Sequence, residues 1–251
     1  RAFLQGYKTV TLDDGSVGML PLDWLEENIQ ELSLGLETKQ KKDPESEEKL
    51  HYHPGQALAL DQLISEQEQM DLNEHFIKIR DELKNFQGVQ PKEEPANFQG
   101  ELRQYQKEAL GWLEFLQKFQ FGGILADDMG LGKTIQVLAW LKYRKTEGTN
   151  SPSLVVAPTS LVLNWEDEAK RFLPDLKVLT YIGPSRKNYL NSWDSYDLII
   201  TSYGILRLDV EYLREKNLDY CILDESQAIK NYSSQTFKAA KALKAENKLC
   251  L

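Results

Sequence analysis

The sequence predicts an α/β fold whose mainly parallel sheet is covered by helices, preceded by a smaller accessory region that is mixed α/β or mostly helical. Three observations carry this. From residue 101 onward, helical and strand periods alternate. The strands are apolar on both faces, as a covered parallel sheet requires. A glycine-rich turn joins one of these strands to the helix after it, the place where sheets of this kind bind ligands.

The elements follow in order. Tyr7 to Leu12 alternates at strand period, Asp13 to Ser16 is a turn signal, and Val17 to Leu20 resumes the strand. Leu22, Leu25, Ile29, Leu32 and Leu36 are spaced for one helical face, with Trp24 on its apolar side. Residues 38–49 are almost wholly charged or polar and read as a linker. A helical stretch covers about 56–86, with a break near Met70 and Asp71, and residues 87–100, rich in Gln, Gly, Pro and Glu, read as a second linker. The domain boundary is placed there, giving an accessory region over 1–98 and a larger unit over 101–251. In that unit the patterns predict helix 102–119, strand 121–126, helix 133–146, strand 153–157 and helix 160–172. Strands 177–181 and 197–201, helix 204–216, strand 219–223, helix 233–244 and a last strand from Lys248 complete it.

The 251 residues suffice for one large or two smaller domains, and 41% hydrophobic content allows a substantial core. No apolar run reaches the roughly 18 residues of a membrane span. The two cysteines, Cys221 and Cys250, sit in strand-like runs without C-x-x-C spacing. Buried free thiols and an intracellular setting (cytoplasm or nucleoid) are the expectation. The chain begins at Arg1 rather than Met, so it reads as a piece of a longer protein. Net charge is −9, but it is uneven: residues 1–98 carry −10 and residues 99–251 carry +1. Polyanion binding by the larger unit therefore needs a local surface, not bulk charge. The acidic region could act as an internal mimic of nucleic acid.

The most informative segment is Ile124 to Ile135, which contains Asp128, Met129, Gly130, Leu131, Gly132, Lys133 and Thr134. Glycines let the backbone curl so that several N–H groups approach phosphate oxygens, and the following helix aims its positive end at the same place. Lys133 would add a charge beside the outer phosphates, and Thr134 a hydroxyl for Mg²⁺. The first glycine of the general G-x-x-x-x-G-K-[ST] pattern would fall at position 127, where the chain has Asp127. The bland alternative is a strand-to-helix turn with a solvated lysine. The second signal is the apolar run from Tyr220 to Leu223 ending in Asp224 and Glu225. It would bring two acids to the same sheet edge, Asp224 for magnesium and Glu225 to orient or deprotonate the attacking water. Alone, such a pair could equally be acids favoured by a helix dipole.

Further segments fall in a telling order. Leu102 to Leu113 precedes the loop, Val155 to Trp165 follows it, and Thr201 to Gly204 comes before Asp224 to Asn231. Together these resemble the Snf/Swi-type DNA-dependent ATPases of helicase superfamily two, over residues 101–251. The run Ala126 to Thr134 fits that family's form of the loop, which accounts for Asp127. The first 100 residues look, more weakly, like the helicase-associated segment of bacterial members.

The resemblance implies a first RecA-like lobe that uses ATP and Mg²⁺. It assigns Gln106 to the adenine edge, Lys133 and Thr134 to phosphate and magnesium, and Asp224 and Glu225 to metal and water. Pro158, Thr159, Ser160, Thr201 and Ser202 match segments that contact the backbone of double-stranded DNA, a contact that reads no sequence. Taken alone, Pro158 to Ser160 could be a plain helix cap. Gln227 would couple the nucleotide site to the DNA side, and Ser226 is a mild departure from the family tetrad. The family also implies a continuing Thr-Gly-Thr-Pro segment and a second lobe with arginine fingers, so this chain alone is expected to bind ATP·Mg weakly and turn it over negligibly. Other marks carry less. His51, His53 and His75 lack companion ligands and read as solvated. Trp112 reads as core, Trp165 as core or, less readily, as near the DNA path, and Lys230, Lys238, Lys241 and Lys244 as a solvated face or a basic stripe.

Overall fold

The computed structural model describes residues 9–11, 17–19, 74–128 and 130–251. The chain divides into two compact units, 1–86 and 87–251. In the first, β1 (Thr9–Thr11) and β2 (Val17–Met19) pair antiparallel, with Thr9 opposite Met19, as the turn signal between them predicts. The helix α1 (Glu74–Lys84) lies within the expected 56–86 stretch. The expected helix over 22–36, the linker at 38–49, and the side chains of Trp24, His51, His53 and His75 lie outside the described residues.

The second unit is built on six parallel strands. These are β3 (Gly123–Ile124), β4 (Ser153–Ala157), β5 (Val178–Thr180), β6 (Leu198–Ser202), β7 (Leu218–Leu223) and β8 (Ala245–Cys250). Their spatial order is β3-β8-β7-β4-β6-β5. Strand period decides which side chains go where. Val155 and Ala157 of β4 enter one apolar layer with Leu198, Ile200 and Ile222, while Leu154 and Val156 enter the other with Ile199 and Cys221. Every residue of β4, β6 and β7 is buried, which explains their unbroken apolar runs.

Helices cover both faces. On the first lie α2 (Gln104–Lys118), α3 (Lys133–Thr146) and α4 (Val162–Phe172). On the second lie α5 (Tyr203–Leu208), α6 (Val210–Leu213) and α7 (Gln235–Ala242). The expected single helix over 204–216 is divided at Asp209, which ends α5 and precedes α6. Residues 184–195, for which the sequence predicts no element, form a 3₁₀ segment. It is anchored by Arg186, whose Nε and Nη2 donate to Asp209 at 2.6 and 3.0 Å, and by Trp193, which is 1% exposed.

Residues 87–100 belong to the second unit. The Lys92 amide donates to the Lys107 carbonyl at 2.9 Å, and the Gln99 amide to the Phe172 carbonyl at 2.8 Å. Glu94 accepts the Leu102 amide at 2.5 Å. The segment runs across α2 as a strap, and its polar composition matches its exposure along most of its length.

Candidate active site

The register of the sheet sets the geometry. Ile124 pairs with Cys250, and Cys250 with Leu223, so β3, β8 and β7 end at one level. Hydrogen bonds continue the alignment past the strands, from the Leu125 amide to the Cys250 carbonyl at 2.8 Å and from the Leu251 amide to the Leu223 carbonyl at 2.9 Å. The loop 125–132 and the acids Asp224 and Glu225 therefore leave the same edge, two strands apart. At an inter-strand spacing of ~4.8 Å their starting points are about 10 Å apart.

The loop takes its shape from its glycines and from a set of side-chain donors. Gly130 and Gly132 sit at φ +86° and +77°, the left-handed region that favours glycine. A Cβ at Gly132 would lie 2.8 Å from Gln106 Nε2. Three donors converge on the Leu131 carbonyl: Tyr105 Oη at 3.0 Å, Gln106 Nε2 at 3.1 Å and Gln136 Nε2 at 3.3 Å. Gln136, fully buried, also donates to Asp127 Oδ2 at 3.2 Å. Asp127 thus takes the place of the expected glycine and gains a side-chain anchor there. Lys133 Nζ folds back onto the carbonyls of Asp127 and Asp128, at 2.6 and 3.3 Å. Thr134 is half-buried in the first turn of α3, and Asp128 is exposed. Met129 lies outside the described residues.

Gln106 is buried at 7% exposure. Its Oε1 accepts the Arg103 amide at 2.9 Å. An amide has two N–H groups and two lone pairs, so one of each is left uncommitted.

Asp224 is held from several sides. Its Oδ2 accepts Trp165 Nε1 at 2.8 Å, and its Oδ1 accepts the Glu225 amide at 2.9 Å. Its carbonyl accepts the Tyr203 hydroxyl at 2.8 Å. Each carboxylate oxygen keeps a lone pair, so Asp224 is free to help hold a hydrated Mg²⁺. Glu225 sits at φ +50°, ψ +54°, a costly conformation for a residue with a Cβ and one that clusters at functional sites. Gln227 Nε2 donates to Glu225 Oε2.

Sequence reading missed several of these partners. Glu168, one helical turn beyond Trp165, is a third carboxyl near the pair; burial raises its pKa, Arg171 opposes that, and the Asp224 charge adds to it. Burial, with the Asp224 charge adding, likewise raises the Tyr203 hydroxyl and keeps it a donor. The stripe Val162, Trp165 and Ala169 marks the buried face of α4 and was legible; the hydrogen bond of the indole was not.

On the other half of the same edge, an open groove of about 700 Å³ runs over β4, β6 and β5. Its lining includes Thr159, Gly183, Ser202, Gly204, Arg207 and Gln235. Thr159 and Ser160 are exposed and Pro158 is half-buried. Ser202 spends its hydroxyl as the N-cap of α5, accepting the Ile205 amide at 3.3 Å. Thr201 departs from the expectation: it is fully buried and its hydroxyl donates to the Tyr181 carbonyl at 2.8 Å, so its side chain has a structural part and no outward face. Arg207 is the groove's exposed cation, which sequence reading passed over.

A parallel sheet with a G-K-T loop after an edge strand, and an Asp-Glu pair two strands away on the same edge, defines a RecA-like nucleotide-binding lobe. Residues 105–251 match the model of the SNF2-related domain, and the chain belongs to that family. The helicase swr1 of Schizosaccharomyces pombe is 44% identical over 163 residues, which is 62% of this chain and 13% of that protein. The SWI2/SNF2 ATPase core of Sulfolobus solfataricus, solved in complex with double-stranded DNA, is 38% identical. It superposes with a TM-score of 0.59 over 66% of this chain and 34% of that one. The same core without DNA gives a TM-score of 0.54 at 37% identity. This chain thus spans a small part of its curated relatives.

Proposed function

We propose that this chain is the ATP-binding lobe of a DNA-dependent ATPase that translocates on double-stranded DNA and displaces or remodels proteins bound there. The observation that carries the reading is the shared edge: one register brings the phosphate loop, the acid pair and the groove to the carboxyl ends of one sheet. Gln106 would use its uncommitted N–H and lone pair on the adenine edge. Lys133 would leave the Asp127 and Asp128 carbonyls for the outer phosphates, while Gly130, Leu131 and Gly132 present amides. Asp224 and Thr134 would hold the magnesium, which supplies neutralisation of the phosphate charge. Glu225 would orient the attacking water and accept its proton, and Gln227 would report its position.

Thr159, Ser160, Ser202 and Arg207 would meet the phosphodiester backbone, which explains how a chain of net charge −9 can bind a polyanion: the contact is local and made by hydroxyls, amides and one cation. The Sulfolobus core's complex with double-stranded DNA supports this partner. A cation in trans from a second lobe would complete the site, worth roughly 10³–10⁵ in rate, so the lobe alone hydrolyses ATP negligibly. An intracellular location follows from this role.

The test is phosphate release by the full-length protein, with and without duplex DNA. The reading expects strong stimulation by duplex and its loss in Lys133→Ala. Unstimulated turnover, or processive strand separation as the coupled work, would point instead to a different helicase class. Phosphate release unchanged in Lys133→Ala would mean a vestigial site on a scaffold.

A further inference from the structure

Asp224 stands in the middle of the edge. The phosphate loop lies to one side, beyond β8, and the groove to the other, over β4, β6 and β5. Two side chains reach Asp224 from helices on opposite faces of the sheet, Trp165 from α4 and Tyr203 from α5. Trp165 Nε1 holds its Oδ2 and Tyr203 Oη holds its carbonyl, both at 2.8 Å. Trp165 is 1% exposed and Tyr203 9%.

The helix that carries each follows a residue of the groove's lining, Thr159 before α4 and Ser202 before α5. Trp165 lies on α4, just after the exposed Thr159 and Ser160, and its amide donates to the Leu161 carbonyl at 3.1 Å. Tyr203 follows Ser202 in sequence, at the start of α5. Both side chains are buried and hydrogen-bonded to the acid, so each links its helix start to Asp224 through one side chain.

Chemistry narrows what these two groups can do. An indole N–H is a donor only and cannot act as a base or a nucleophile. Its bond to a carboxylate is charge-assisted and directional. Burial of an indole in this fold does not by itself dictate a partner: Trp193 is equally buried, yet its Nε1 has none among the described residues. The Trp165 contact therefore calls for a reason beyond packing, and its effect is to fix the rotation of the Asp224 carboxylate. With Oδ1 tied to the Glu225 amide within its own loop, Oδ2 is the oxygen held by a residue outside that loop.

We infer that Trp165 and Tyr203 are positioning residues that transmit occupancy of the groove to the orientation of Asp224, so that duplex DNA sets the geometry of the magnesium acid. This rests on the proposed reading of Asp224 as that acid and of the groove as the duplex face. The route is distinct from Gln227, which touches Glu225.

The experiment titrates the 251-residue chain with a fluorescent ATP analogue and Mg²⁺, with and without a saturating short blunt duplex. In the unaltered chain, duplex tightens nucleotide binding about fivefold or more, the lower end of typical coupling between sites. Trp165→Phe keeps an aromatic ring and loses the N–H; Tyr203→Phe loses only a hydroxyl. Each removes most of that gain, while the duplex affinity, measured separately, stays within about twofold. A purely structural role would lower the melting temperature and leave the gain intact. The inference is overturned if both variants retain the full gain, or if the unaltered chain binds nucleotide with no response to duplex. Failure of the unaltered chain to bind nucleotide at all would overturn the proposed function itself, and this inference with it.

Discussion

Gln136 illustrates how single residues shape this site. Its one NH₂ group serves Asp127 and Leu131 together, and its Oε1 is buried with no partner among the described residues. Replacing it with Leu takes this donor from Asp127 Oδ2, while the Leu131 carbonyl keeps Tyr105 and Gln106; an acceptor left short typically costs about 1–3 kcal/mol when buried. Gln136→Leu is expected to weaken binding of an ATP analogue about tenfold or more, whereas Asp127→Asn, which keeps an acceptor, should lie close to the unaltered chain. Equal affinities in a nucleotide titration of all three would refute the loop-holding role. That Lys133, Thr134, Asp224 and Glu225 stand at one sheet edge was legible in the sequence because each belongs to a short motif, a tripeptide or dipeptide, at the end of an apolar run. Trp165 and Tyr203 were not, because their partner stands 59 and 21 residues away and only the strand order brings them to it. Thr201 misled for the same reason: a threonine near a strand end reads alike whether its hydroxyl faces out or, as here, inward to Tyr181.

Elements were read best where one period persisted, as in α3 and β4, whose observed bounds coincide with the expected ones. The 3₁₀ segment at 184–195 has neither period. It is held by tertiary contacts that no pattern announces, chiefly Asp209, which accepts from Arg186 and from the Tyr181 hydroxyl at 3.0 Å. The Arg186 hydrogen bond holds the Asp209 carboxyl below its ordinary value. A carboxyl with a depressed folded pKa stabilises above its unfolded pKa of about 3.9 and loses that contribution as pH falls through the folded value. Unfolding in urea at pH 6 and pH 3 should therefore show a smaller acid-dependent loss in Asp209→Asn than in the unaltered chain; identical losses would remove Asp209 from the account. The strap over α2 makes a second demand. A Cβ at Gly111 would fall 1.8 Å from the Gln90 carbonyl oxygen. Alanine gains about 1 kcal/mol over glycine inside a helix, whereas overpacking typically costs 1–3 kcal/mol or more. Gly111→Ala is expected to lower the urea midpoint, and a raised midpoint would mean the strap yields freely.

At the scale of the molecule, the two edges of the sheet have separate tasks. The amino-terminal ends of the strands carry structural charge: Asp219, 2% exposed, accepts Arg144 Nη2 at 2.9 Å and Nε at 3.3 Å. Breaking a buried pair by removing one partner costs about 3–5 kcal/mol. Asp219→Ala should thus lower stability by that order in urea denaturation while the folded fraction keeps its nucleotide affinity. A parallel loss of affinity would show that the edges are not independent. The carboxyl-terminal edge carries the candidate site, and the sequence foretold that its motifs would meet there because alternating elements and strand-end motifs imply it. It did not foretell that Asp224 stands between the nucleotide side and the groove, since strand order is a property of pairing and not of periodicity. The most direct test of the whole account is the Mg²⁺-dependent binding of ATP to this 251-residue chain, compared with Lys133→Ala and Asp224→Asn. The account predicts saturable one-to-one binding, lost in Lys133→Ala and stripped of its magnesium dependence in Asp224→Asn; unchanged affinity and magnesium dependence in both variants would contradict it.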